Sequence, residues 1–138
     1  MAMYRKLGKA SAQRNALLRN QVTQLLYHGK IRTTEARAKE VVDGKKVTVY
    51  DEVEKTIKKD QPSRLHARRE MLKVLYPVVE VPTDAAGKKA GTKKVDLTSK
   101  LFDEYGTKYA GRKGGYTRII KIGQRKGDAA MEVILELV

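Results

Sequence analysis

The sequence predicts an α+β fold that begins with a basic arm and ends in a β-hairpin. Two patterns carry that expectation. Leu17, Leu18, Val22, Leu25 and Leu26 fall within one half of a helical circumference, the mark of an amphipathic helix. Near the other end Met131, Val133, Leu135 and Leu137 share one face with Glu132 and Glu136 opposite, the period-2 signature of a strand with one buried face. Serine, proline, aspartate and glycine at the segment boundaries supply starts and stops between them.

Taken in order, residues 1–10 hold Arg5, Lys6 and Lys9 with almost nothing to bury, so an extended basic arm is expected. Ser11 is placed to N-cap a helix over 12–28, and Gly29 to close it. Arg14 projects into the apolar half of that helix, so its first turn should overhang the core and meet a ligand. Lys30-Ile31-Arg32-Thr33 is β-prone, Thr34 is a cap for a helix from Glu35 to Val42, and Asp43-Gly44 breaks it. Val47 to Tyr50 reads as a further short strand. A helix should start at Ser63 behind Pro62, carry Leu65, Leu72, Leu75 and Tyr76 on one face, and stop at Pro77. Residues 77–96 read as a loop or irregular hairpin. Asp96 should cap a helix with Leu97, Leu101 and Tyr105 at i, i+4 and i+8, closed by Gly106. In the hairpin, Tyr116, Arg118, Ile120 and Ile122 share one face of the first strand, and residues 123–128 make the turn. One domain over 11–138 is expected, with variable insertions around 41–62 and 77–96.

Thirty Lys and Arg against sixteen Asp and Glu give the 138 residues a net charge of +14. Such a charge says little about fold and much about partners, of which a polyanion is the natural one. Residues 1–40 hold nine basic and two acidic side chains, whereas 41–62 hold five of each. The cations therefore concentrate towards the ends. Cysteine is absent, which excludes disulfides and thiolate metal sites. No apolar stretch approaches a signal peptide or a membrane span, and the chain reads as soluble and intracellular.

The strongest local signal is Gly111-Arg112-Lys113-Gly114-Gly115-Tyr116-Thr117-Arg118. Glycines let backbone approach a phosphate closely, and Arg112, Lys113 and Arg118 add charge that can fork onto it. The spacing is not that of a Walker loop, so nucleotide hydrolysis gains no support. Arg125 and Lys126 repeat the theme at the hairpin tip. Arg64 and Arg68 stand at i, i+4 with Arg69 beside them, a repulsion that a line of phosphates would relieve. In the arm, Tyr4 beside Arg5 and Lys6 suits base stacking with phosphate pairing.

The blander readings hold elsewhere. His28 and His66 have no positioned partner or ligand pattern, and Asp51, Glu52 and Glu54 are followed by Lys55, Lys58 and Lys59 as on an exposed mixed-charge helix. No catalytic constellation, metal site or cofactor site is expected.

Three segments together resemble a known family. They are Tyr4-Arg5-Lys6-Leu7-Gly8 with Gln13-Arg14 and Leu18-Arg19-Asn20; Lys30-Ile31-Arg32-Thr33-Thr34 with Ala36-Arg37-Ala38-Lys39-Glu40; and Lys100-Leu101-Phe102, Gly114-Gly115-Tyr116-Thr117-Arg118-Ile119 and Arg125-Lys126-Gly127-Asp128. In order and spacing they are similar to the bacterial L17 family of large-subunit ribosomal proteins. The resemblance implies a two-layer α/β domain in the order α-β-α-α-α-β-β with a small mixed sheet. It also implies large-subunit ribosomal RNA and neighbouring ribosomal proteins as partners, in the cytoplasm, with no membrane and no small-molecule substrate. Arg5, Lys6, Arg14, Arg19, Arg32, Lys39, Arg112, Arg118 and Arg125 match positions that would face RNA, and Arg37 lies in the same motif. One departure stands out: family members usually continue the second helix well beyond Glu40, whereas Val42-Asp43-Gly44 interrupts it here.

Four functions compete for such a chain. A structural RNA-binding constituent of the ribosome fits best, and an architectural DNA-binding protein is the alternative, although no recognition helix or minor-groove wedge is apparent. A peripheral membrane protein would need bulky aromatics opposite a basic face, and Phe102 is the only Phe. An enzyme lacks candidate residues.

Overall fold

A computed structural model describes residues 4–43, 62–82 and 91–138. Helix α1 spans Ser11–His28, strand β1 Lys30–Thr34 and helix α2 Glu35–Asp43. Helix α3 spans Pro62–Val74, and β2 (Val78–Glu80) pairs antiparallel with β3 (Lys93–Val95). Helix α4 (Leu97–Lys100) runs through a π turn (Leu101–Tyr105) into α5 (Gly106–Lys108). Strands β4 (Thr117–Gln124) and β5 (Met131–Leu137) complete the α+β architecture. The expected strand at 47–50 and the acidic cluster at 51–54 lie outside the described residues.

β5 lies between β1 and β4 and runs antiparallel to both. The sheet is therefore antiparallel throughout, not mixed. β1 and β4 do run the same way, but the last strand of the chain separates them, so no parallel ladder forms. Register pairs Ile31 and Ile119 with Leu135, and Thr33 and Lys121 with Val133. Val133 and Leu135 are fully buried under the helices. Ile120, opposite Ile134, therefore points to the other face of the sheet, away from the helical layer. Tyr116 is buried although it shares parity with Ile120, because it packs edge-on against Tyr109 just before the strand starts.

The core is built on α1, whose Leu18, Val22, Leu25 and Leu26 are buried as the stripe predicts. Truncating Leu26 to Ala would cost about 2–5 kcal/mol, the usual range for a fully buried leucine. Ala10, not Ser11, occupies the N-cap, with no side-chain bond, so the helix starts one residue early. Gly29 adopts φ +82 and returns its N–H to the Leu25 carbonyl. A Cβ there would be strained by the left-handed backbone alone. Two side chains distant in sequence satisfy further carbonyls of this terminus: Tyr105 Oη donates to Leu26 O (2.9 Å) and Lys100 Nζ to Tyr27 O (2.9 Å).

Helix α3 buries a different face from the expected one. Ala67, Met71 and Leu75 are buried at spacings of four, while Leu65 and Leu72 are each 52 % exposed. The two leucines sit about 100° round the helix from that line, so side-chain size misled where small Ala67 allows close approach. Asp96 caps α4 as expected, accepting from Thr98 N (3.2 Å) and Ser99 N (3.4 Å). Gly106 does not close the segment. It is buried in ordinary helical geometry (φ −60), and the helix continues to Lys108.

Candidate nucleic-acid interface

The glycine-rich loop at 111–115 stands on a tyrosine base. Tyr105 stacks on Tyr109 (6.2 Å between ring centroids), and Tyr109 meets Tyr116 edge-on (5.3 Å). Tyr116 Oη donates to Arg112 O (2.6 Å), and Tyr109 Oη to Val138 O (2.6 Å). Burial is what raises the Tyr105 phenol above its usual pKa, with Glu104 adding to it, so it stays a donor. Above this base Gly111, Gly114 and Gly115 all have positive φ. The Arg112 guanidinium curls back onto the carbonyls of Gly114 (3.3 Å) and Gly115 (2.9 Å). Lys113 is left exposed at the apex.

The hairpin tip follows the same plan with a carboxylate in place of carbonyls. Arg125 and Asp128 form a forked ion pair, with Nε to Oδ1 at 2.8 Å. Asp128 Oδ1 also accepts from Ala130 N (3.2 Å). Arg125 first, and then that N–H, hold the Asp128 carboxyl well below the usual carboxylate range. This agrees with a turn residue rather than an acid catalyst. Lys126, between them, is exposed.

The arm is not extended. Residues 6–9 form a turn closed by Lys9 N to Lys6 O (3.1 Å), and Leu7 packs against the core. Its anchor is Glu40 on α2, which is only 3 % exposed. Glu40 accepts from Arg5 N (3.2 Å), lies 3.6 Å from the Arg5 guanidinium, and is ion-paired with Arg14. Burial pushes its carboxyl up, but these three partners outweigh it and hold the net pKa below the ordinary glutamate value. Arg14 also donates to Arg5 O (2.7 Å), and its guanidinium lies over the Tyr4 ring. Arg14 thus ties arm to helices instead of overhanging the core towards a ligand.

Most of the remaining candidate arginines are also engaged within the fold. Arg19 donates to Val74 O at the end of α3 (2.9 Å) and stacks on Tyr76. Arg32 pairs with Glu132, Arg118 with Glu136 (Nε to Oε1 2.7 Å), Lys39 with Glu35 (2.8 Å) and Arg68 with Asp96 (2.8 Å). Arg64 lies over Phe102 (4.4 Å to the centroid) rather than beside Arg68 on a common cationic face. By contrast Lys6, Lys9, Arg37, Arg69, Lys113 and Lys126 are exposed, with no carboxylate partner among the described residues. Exposed Lys30, Lys93 and Lys94 share that condition and were not singled out from the sequence. Sequence reasoning also missed Glu40 and Tyr109, which shape the arm and the loop; only the i, i+4 spacing of Tyr105 and Tyr109 hinted at the latter.

Nothing among the described residues gathers three or more His, Cys, Asp or Glu side chains to hold a metal ion. Among the described residues, no helix is long and apolar enough to cross a membrane. A groove of about 410 Å³ between α3 and the β2–β3 ribbon is lined chiefly by Leu72, Leu75, Tyr76, Val78 and Val95. Its carboxylate, Asp96, is occupied with capping and with Arg68.

A family model described as ribosomal protein L17 matches residues 17–138. The chain is 60 % identical to the large ribosomal subunit protein bL17 of Lachnospira eligens, with all of both chains covered. That alignment runs to 178 positions against 138 residues here, so the relative carries residues with no counterpart in this chain. Identity is 50 % to the bL17 protein of Listeria innocua, over 98 % of each chain. It is 41 % to that of Ruminiclostridium cellulolyticum, over 97 % of this chain and 98 % of the relative.

Proposed function

Because the chain belongs to the ribosomal protein L17 family, we propose that it is a structural, non-catalytic constituent of the large subunit of the cytoplasmic bacterial ribosome, held there by ribosomal RNA. Residues 11–138 act as one positioned block that carries the docked arm, the 111–115 loop and the hairpin tip. The observation that carries the RNA reading is the set of exposed cations without carboxylate partners among the described residues, led by Lys113 and Lys126 in two glycine-flanked loops. An unpaired cation keeps its full attraction for a phosphate, whereas one already paired must first exchange its partner.

The mechanism is counterion release: each phosphate contact steepens the fall of log affinity against log salt by about 0.7–0.9. RNA helices hide their bases in a deep groove, so backbone and shape contacts should dominate over base reading. In this reading Arg5, Arg14 and Arg19 set the geometry; Arg112 shapes its loop through neutral carbonyls and, its charge uncancelled, meets phosphate together with Lys6, Lys9, Arg37, Arg69, Lys113 and Lys126. Neighbouring ribosomal proteins are the other expected partners.

Sedimentation of extracts tests this reading. The chain should appear in stoichiometric amounts in salt-washed large subunits and be released by RNase. Equal retention on DNase-sensitive material would favour the architectural DNA alternative instead.

A further inference from the structure

We propose that Glu40 is a positioning residue for RNA binding: its buried carboxylate fixes the arm in the free protein, so that Lys6 and Lys9 meet phosphate already in place. This role deepens the RNA reading above and rests on it. One negative charge then strengthens the grip on a polyanion, the reverse of what charge counting gives.

The arm does not hold itself. Of residues 4–10 only Leu7 is less than fully exposed, so apolar burial contributes little. Leu7 (φ +54) and Gly8 (φ +65) both lie in the left-handed region, which a leucine adopts only at a cost. The shape is therefore imposed from outside, and the polar contacts converge on Glu40. One of its carboxylate oxygens accepts from Arg5 N and the other pairs with Arg14. Arg14 in turn holds the arm by the Arg5 carbonyl and the Tyr4 ring. Burying a carboxylate is unfavourable unless it is paired, and two of the three partners described here, the Arg5 N–H and guanidinium, belong to the arm. Undocking would leave Glu40 with Arg14 alone, so the docked arm is favoured before any RNA arrives. Lys6 and Lys9 then stand exposed at the two ends of a closed turn. A free arm would instead lose conformational entropy on binding, and its affinity would fall with the fraction of time spent docked.

The test is Glu40→Gln in the full chain, which keeps the shape of the side chain and makes the protein more positive. In filter binding, affinity for large-subunit ribosomal RNA should fall about tenfold, as for an arm docked about a tenth of the time. The salt slope should flatten by about 1.5, two phosphate contacts' worth. Affinity for poly(U), a polyanion without fixed shape, should stay within about twofold or rise, whereas a damaged fold would weaken both. With Lys6→Ala and Lys9→Ala already in place, Glu40→Gln should change ribosomal RNA affinity by less than about twofold, because the cations it positions are gone. Unchanged or tighter ribosomal RNA binding, an equal loss on poly(U), or the same loss in both backgrounds overturns the proposal. Two measurements stand even if Glu40→Gln does not fold. In the free wild-type protein the Arg5 amide, bound to Glu40, should be protected from hydrogen exchange, and Lys6→Ala with Lys9→Ala should weaken ribosomal RNA binding. An unprotected amide, or lysines without effect, also overturns it. Absence of the chain from salt-washed subunits sinks the ribosomal reading and this role together, whereas full RNA affinity of Glu40→Gln in a chain that does incorporate sinks this role alone.

Discussion

The 111–115 loop and the hairpin tip carry the same dipeptide, an arginine followed by a lysine, and use it in different ways. In both the arginine turns inward to shape the backbone and the lysine stays out. Arg112, however, spends its donors on neutral carbonyls, so its charge survives, whereas Arg125 is cancelled by Asp128. The loop therefore presents two positive charges on a buried tyrosine base, and the tip presents one net charge on a free-standing turn. Counting basic residues, as a sequence does, rates the two alike. What decides electrostatic strength is the acceptor each arginine finds.

The largest effect should come from the base that the tip lacks. Tyr116→Ala removes a buried ring and the bond to Arg112 O, and should cost about 3–5 kcal/mol of stability. Tyr116→Phe keeps the ring and should cost only about 1 kcal/mol. Lys126→Ala, at the tip, should leave stability within about 0.5 kcal/mol of wild type. Urea unfolding followed by circular dichroism measures all three. Equal losses at loop and tip would erase the distinction between them.

Charge comes next. In filter binding to ribosomal RNA across a salt series, Arg112→Ala with Lys113→Ala should flatten the log–log slope by about 1.5, two phosphate contacts' worth. Lys126→Ala should flatten it by about 0.7, and Arg125→Ala with Asp128→Ala should change it little, because a neutral pair is removed. A slope change as large for the tip pair as for the loop pair would show that Arg125 trades Asp128 for phosphate on binding.

The hairpin, the α1 stripe and the glycine-rich loop were legible because each is a local pattern of spacing or chain-turning residues. The corrections share the opposite property. Glu40 reads as one more helical glutamate, yet it is buried because Arg14, 26 positions away, and Arg5, 35 away, converge on it. No spacing rule reaches that far. Leu65 and Leu72 drew the eye on α3, but the face of Ala67 and Met71 packs inward. The orientation of Ile120 was set by its partner strand, since Ile119 had to meet fully buried Leu135. Likewise the sequence marks the cations only as a population, while which of them keep their charge depends on acceptors that the fold brings to them.

The smallest expected effect is the sharpest probe of the contrast, because it turns the tip into a loop-like site by one atom. Asp128→Asn keeps an Oδ1 acceptor for Ala130 N and removes the charge that cancels Arg125. Arg125 should then contribute as Arg112 does, steepening the salt slope by up to about 0.7 and tightening binding at low salt. Acidification should not mimic the variant near neutrality. Arg125 holds the Asp128 carboxyl well below the usual range, so the pair is complete above the ordinary carboxylate pKa and breaks only as pH falls through the lowered folded-state value. Wild-type slopes should accordingly be flat between about pH 7 and pH 5, with Asp128→Asn steeper by the same increment throughout. A wild-type slope that climbs towards the variant's within that window would mean that Asp128 is protonating there, and that the ion pair at the tip is too weak to hide its arginine.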